Sequence, residues 1–190
     1  MTNDLQDLGA SDNIRATVLG LGNILLGDEG VGIRAIERFQ ERYQVPEYVE
    51  VLDGGTSGLD LLPVLRPGSA LIIVDAIKPE NHPGFMLRLE GIEVPSYLSA
   101  KLSPHQIGLP DLLATAELLD RMPSKLVLLG IEPKDLELGV RLSPELEALL
   151  DDLAEKVAAE LQALGIEVID LKAEPGAAKG KRSVPTAFPV

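Results

Sequence analysis

The sequence predicts an α/β fold built on a mostly parallel sheet, and three observations carry that prediction. Short apolar runs at Val18–Leu21, Ala70–Val74 and Ser124–Ile131 have the length and composition of buried parallel strands, and Tyr48–Leu52 reads as a further strand. Between and after them lie stretches of helical periodicity, beginning with Ile33, Ile36, Phe39 and Tyr43 at spacings of three and four. Glycines and carboxylates gather where the strands end, the edge at which open α/β folds keep their binding sites.

Composition narrows the class further. A chain of 190 residues with 45% hydrophobic content is one domain by length and can fill a core, with Leu, Ile, Val and Ala doing the packing because aromatics make up only 3%. Its formal net charge of -13 argues against nucleic acid or an anionic membrane as partner, and is compatible with a cation or a basic protein segment. The absence of cysteine removes disulfides, thiolate metal sites and a cysteine nucleophile. MTNDLQDLGASDN at the start is polar and acidic, unlike a signal peptide, and no apolar run reaches membrane-spanning length, so a cytoplasmic protein is expected. Residues 1–13 read as a disordered lead-in, 14–172 as a single α/β domain, and 173–190 as a disordered, locally basic tail.

The first strand, TVLGL, runs into a glycine-rich turn and then into the first helix, with Asp28 and Glu29 at the join. Three readings of this junction compete. In the first, Asp28 caps the helix and Glu29 complements its dipole, which would stabilise the helix by roughly 1 to 2 kcal/mol. Alternatively, Gly20-Leu21-Gly22 begins a dinucleotide fingerprint, with Asp53 as the ribose-binding acid. Leu25 stands in place of its third glycine, and the helix N-terminus that should meet the pyrophosphate is already filled by two carboxylates. A phosphate-binding P-loop fails because no Gly-Lys-Ser/Thr follows. The third reading is a metal site, which needs ligands from elsewhere.

Later elements supply candidates. The second strand ends at Asp53, and Gly54-Gly55-Thr56-Ser57-Gly58 follows as a loop, either a flexible turn or exposed main chain able to pair with an extended ligand. Leu59 to Leu65 is expected as a short helix. ALIIV is the clearest buried strand, and its closing Asp75 lies on the same sheet edge as Glu29 if the two strands are parallel; as a bland alternative it is a turn residue. Asn81 to Gly84 is a turn in which His82 is expected to be exposed, and Phe85 to Glu90 alternates as an antiparallel edge strand should. Ser103-Pro104-His105-Gln106 reads as a capping box opening a helix, which Gly108 and Pro110 kink or restart, with Leu112, Leu113, Ala116 and Leu119 as its buried face. With only two histidines in the chain, an imidazole ligand must be His105 or His82, and a helix N-terminus keeps His105 neutral. The strand Ser124–Ile131 ends at Glu132-Pro133. Ser143-Pro144-Glu145 starts the longest helix, whose inward leucines and Val157 run to Leu164 before Gly165 stops it, and Ile166 to Ile169 reads as a short last strand.

GNILLGDEGVG, DGGTSG, IIVDAI, SPHQIG and GIEP, in that order and at these intervals, resemble the [NiFe]-hydrogenase maturation proteases, with the strongest likeness to members that process uptake-type, membrane-associated hydrogenases. The resemblance runs from about Arg15 to Asp170. It implies a three-layer α/β/α fold, a twisted and mostly parallel mixed sheet of about five strands flanked by helices. It also implies an endopeptidase, of aspartic or metal-assisted type, that removes the C-terminal extension of the hydrogenase large-subunit precursor after nickel insertion. The nickel would be carried by the precursor, and Glu29, Asp75 and His105 would be both its ligands and the catalytic groups. Asp53, Gly54, Gly55, Thr56 and Gly58 would recognise the substrate. Two other classes stay open, a nickel-checkpoint protein that docks the same precursor without cutting it and the nucleotide-binding enzyme considered above.

Overall fold

A computed structural model describes residues 14–77, 82–100 and 108–173 of the chain. Its centre is a five-stranded sheet in the order β3-β1-β4-β6-β5. Strands β1 (Ala16–Leu21), β3 (Val49–Gly55), β4 (Ala70–Ala76) and β6 (Lys125–Ile131) run parallel, and β5 (Met86–Glu90) closes one edge antiparallel to β6. This is the mixed sheet the sequence predicts. Both β1 and β4 are buried along their whole length, as central strands covered on two faces must be.

Alternate residues of the central strands enter two separate cores. Val18, Ile72, Val74, Val127 and Leu129 pack beneath α1 (Val31–Arg42) and α5 (Leu150–Ala163). Leu19, Leu71, Ile73, Leu126 and Leu128 face α2 (Glu93–Ala100), α3 (Leu109–Leu118) and the 3-10 segment Gly58–Val64. The result is three layers, helices over both faces of one sheet. Ile33, Ile36 and Phe39 are buried as the helical spacing requires, and α1 stops at Arg42, where Tyr43 turns extended and starts the short β2 (Tyr43–Gln44).

Several boundaries differ from the sequence expectation. The second expected strand does not end at Asp53 but continues through Gly54 and Gly55, with a register shift at its glycine end. Gly54 belongs there because it is buried, and an added Cβ would stand 2.7 Å from the Leu21 side chain. Leu119 is 52% exposed and lies outside the buried face of α3, since that helix ends one residue earlier. The long C-terminal helix is two pieces, α4 (Pro144–Glu147) and α5, joined by a turn at Ala148 and Leu149 that nothing in the local sequence announces. Ser143 does cap it, accepting from the Leu146 N–H at 3.4 Å. Leu149 and Leu164 are only half-buried. At the far end Gly165 has φ +74, and the bonds Gly165 N–H to Gln162 O and Ile166 N–H to Leu161 O complete a Schellman stop. The last strand, β7 (Ile169–Asp170), pairs antiparallel with β2 in a small second sheet. Helix α2 had no counterpart in the sequence reading. The expected lead-in 1–13, the tail beyond Ala173 and the capping box at 103–106 lie outside the described residues.

Candidate active site

Glu29 is placed by a turn that only glycine permits. Gly22 leaves β1 with φ +126, and a Cβ there would fall 1.8 Å from the Glu29 carbonyl oxygen. Beyond it, Gly27–Gly30 form a 3-10 turn whose four residues are all buried, Glu29 being 3% exposed. The first turn of α1 then lies directly on the sheet, where a Cβ on Gly32 would stand 2.2 Å from the Val74 carbonyl oxygen. Glu29, three residues before Gly32, and Asp75, one residue after Val74, therefore share the carboxyl edge of the β1–β4 pair. That is the placement the parallel-strand argument anticipates.

Asp28 does something other than cap the helix. No side chain caps either the 3-10 turn or α1. Its carboxylate is completely buried and accepts three main-chain N–H groups from a distant loop: Lys134 at 2.9 Å and Asp135 at 3.0 Å on Oδ2, and Ser143 at 2.6 Å on Oδ1. Capping was the local reading because a sequence shows only the donors nearby. The donors that Asp28 meets lie more than 100 residues away along the chain.

Asp75 closes β4 at 6% exposure, in register with Gly130 of β6. Glu132, just past the end of β6 in the GIEP motif, is 1% exposed and lies at the same edge. Its main chain pins the turn before β5, the N–H donating to Phe85 O at 2.9 Å and the carbonyl accepting from Gly84 N–H at 2.9 Å. Sequence reasoning gave Glu132 no role, although the signal was available: it closes a buried apolar strand just as Asp75 does. Glu29, Asp75 and Glu132 all engage neighbouring groups.

The glycine-rich segment sits beside this edge. Asp53 is exposed, and its Oδ1 accepts the Gly55 N–H at 2.8 Å, a local turn rather than a group directed at a nucleotide. Gly55 in turn accepts the Gly22 N–H at 3.0 Å, tying the segment to the turn that carries Glu29. Thr56 is exposed. Gly58 and Gly108, both at positive φ, meet backbone to backbone, and a Cβ on Gly108 would come within 3.0 Å of the Gly58 Cα. The last residue of DGGTSG is thereby set against Gly108, the last residue of SPHQIG. His105 itself lies outside the described residues. His82 is exposed, as expected, with its ring edge-on to Phe85. Among the described residues no group of three or more His, Cys, Asp or Glu is arranged to hold a metal ion. Two carboxylates of the expected triad, Glu29 and Asp75, share one edge.

A family model described as hydrogenase maturation protease matches residues 33–160, more than half of the chain. The chain belongs to the hydrogenase maturation protease family. It is 44% identical over 161 residues to the hydrogenase 2 maturation protease of Escherichia coli K12, covering 84% of this chain and 98% of that protein. A hydrogenase expression/formation protein, HupD, of Rhodobacter capsulatus is 42% identical, covering 81% of this chain and 74% of that one. Among solved structures, the hydrogenase maturating endopeptidase HybD from E. coli superposes with a TM-score of 0.79 at 43% identity, over 83% of this chain and 98% of that chain. A [NiFe] hydrogenase maturation protease HybD from Thermococcus kodakarensis gives 0.62 at 30% identity, over 78% and 99%. Membership in the hydrogenase maturation proteases makes the protein a hydrolase, an endopeptidase that acts in hydrogenase maturation. Among the described residues no helix is long and apolar enough to cross a membrane.

Proposed function

We propose that this maturation protease removes the C-terminal extension of a [NiFe]-hydrogenase large-subunit precursor once nickel has been inserted. The nickel belongs to the substrate, and Glu29, Asp75 and His105 complete its coordination while the scissile segment lies across the carboxyl edge of the sheet. The observation that carries the reading is that two carboxylates, 3% and 6% exposed, stand at one sheet edge, Glu29 on the turn that follows β1 and Asp75 near the end of β4. Carboxylate oxygens with one imidazole are acceptable to a divalent first-row cation, and a chain without cysteine adds no thiolate of its own. Bound there, the ion would act as a Lewis acid on a peptide carbonyl or on water. The glycine-rich segment Asp53–Gly58, with its exposed Asp53 and Thr56, offers main chain along which an extended precursor tail can lie.

Intact mass spectrometry tests this directly. Nickel-loaded precursor incubated with the protein should lose a C-terminal peptide, and nickel-free precursor should keep its mass. Equal cutting of both would sink the nickel requirement. If a cognate precursor binds but is never shortened, the protein is a docking or checkpoint factor instead. Glu29→Gln, which keeps the shape and removes the charge, should abolish processing while leaving the far-ultraviolet circular dichroism unchanged; a folded variant that still processes removes Glu29 from the mechanism.

A further inference from the structure

The Asp28 clamp has the geometry of a device for aiming Glu29. Residues 134–141 are all exposed, so up to Leu142, which packs partly against the core, no core side chain holds this loop in place. Main-chain bonds hold it instead. Three of them end on the buried Asp28 carboxylate, at Lys134, Asp135 and Ser143. Around them the Asp28 N–H donates to Asp135 O at 2.9 Å, the Gly27 N–H to Gly139 O at 2.9 Å and the Gly139 N–H to Leu25 O at 2.9 Å. The ammonium of Lys134 is engaged elsewhere, on Glu145. The loop leaves β6 at Glu132, beside the strand that carries Asp75, and ends at Ser143, the cap of α4. The clamp therefore ties the ends of β6 and α4 to the four-residue turn that bears Glu29.

A buried carboxylate is costly to desolvate, and here three main-chain N–H groups offset that cost, donors that an apolar side chain would leave without an acceptor. Charge-assisted bonds to three N–H groups are also short and directional, which suits the positioning of a neighbouring group. We propose that Asp28 is a positioning residue: its buried carboxylate locks loop 134–143 onto the Gly27–Gly30 turn and so sets where the adjacent Glu29 carboxylate stands. The proposal rests on the reading of Glu29 as a ligand of the substrate's nickel. Asp28 acts through Glu29, its own carboxylate being taken by the three main-chain N–H groups.

Asp28→Asn is the direct test, because one amide oxygen can serve the donor pair or the single donor but not both, and its NH2 then opposes an N–H. Two readouts are needed. In steady-state processing of nickel-loaded precursor, kcat should fall on the order of a hundredfold, the scale of a 1 Å misplacement, with KM little changed. In the protein alone, amide exchange at Lys134, Asp135 and Ser143 should quicken by about tenfold or more relative to wild type. A folded Asp28→Asn protein that processes at the wild-type kcat below its melting temperature overturns the proposal, since Asp28 is then only a structural tie. Lys134→Pro removes one donor at an exposed position and covers the case in which Asp28→Asn does not fold; it should lower kcat in the same sense, and an unchanged kcat again overturns the idea. A wild-type protein that fails to cut nickel-loaded precursor would instead strike at the proposed function. Exchange then decides the clamp by itself: protected amides at 134, 135 and 143 support it, and amides as fast as free loop positions overturn it.

Discussion

Adjacent carboxylates at one turn have taken opposite tasks. Asp28 is turned inward and saturated by main-chain donors, whereas Glu29 is carried at the sheet edge beside Asp75. The residue that makes this division possible is Gly22. Replacing it with Ala puts a methyl group 1.8 Å from the Glu29 carbonyl oxygen, at a φ of +126 that side chains disfavour. The backbone strain alone is worth roughly 1–3 kcal/mol. Relief requires the Glu29 turn to move, so Gly22→Ala should lower the urea midpoint and also cut processing more than the stability loss explains. A variant that is destabilised yet cuts normally under native conditions would show that the Glu29 turn tolerates displacement.

Among the elements, β1 is the most demanding, because it is buried on both faces and ends in the turn that carries Glu29. Within it Thr17 is fully buried, and its Oγ1 is, among the described residues, the buried side-chain polar atom without a hydrogen-bond partner. A hydroxyl taken from water without a partner costs free energy that an isosteric methyl group does not. Thr17→Val should therefore stabilise the protein by about 1 kcal/mol, raising the melting temperature by about 2–4 °C, with processing unchanged. A lower melting temperature would reveal a partner or a buried water at that hydroxyl. The edge strands are legible for a different reason. Phe85–Glu90 alternates in sequence, and β5 does lie antiparallel at the margin, half-buried except at Arg88, with Met86 packed toward one core and Leu89 toward the other. Helix α2 escaped notice because EVPSYLSA carries Pro95 in its first turn and has weak apolar periodicity; it is Val94 and Leu98, buried against the sheet, that hold it.

At the scale of the whole molecule, acid should be the weak side. Lys125 and Arg88 hold the Glu90 carboxyl below its ordinary value, Lys134 does the same for Glu145, and Arg42 for Asp170. Each of these groups has a lower pKa folded than unfolded. The stability they contribute is present above the unfolded value and disappears as pH falls through the folded one. The melting temperature should be nearly flat from neutral pH down to about 5, then drop below about 4, where carboxyls take up protons. No decline down to about pH 3 would mean that these exposed pairs contribute nothing measurable. Of the three, Asp170 also fastens the small β2–β7 sheet, its Oδ2 accepting from Arg42 at 3.0 and 3.1 Å. Arg42→Ala should therefore shrink the acid-dependent part of stability.

What the sequence determined by itself was whatever depends on near neighbours: the buried strands, the apolar face of α1, the caps at Ser143 and Gly165, and the order of motifs that marks the family. It also offered Glu29 and Asp75 for one edge on condition that their strands run parallel, and the β1–β4 pairing met that condition. Tertiary structure decided the partners that lie far along the chain. It turned Asp28 from a helix cap into an anchor for loop 134–143, carried β3 through two glycines because Leu19 and Leu21 leave room for nothing larger at Gly54, and joined the glycine-rich segment to the end of SPHQIG through Gly58 and Gly108. The physical reason is the same in each case. Periodicity and capping are local and can be counted along a chain, whereas a buried polar group or a backbone contact is satisfied by whatever the fold brings to it, and that is a property of the folded arrangement.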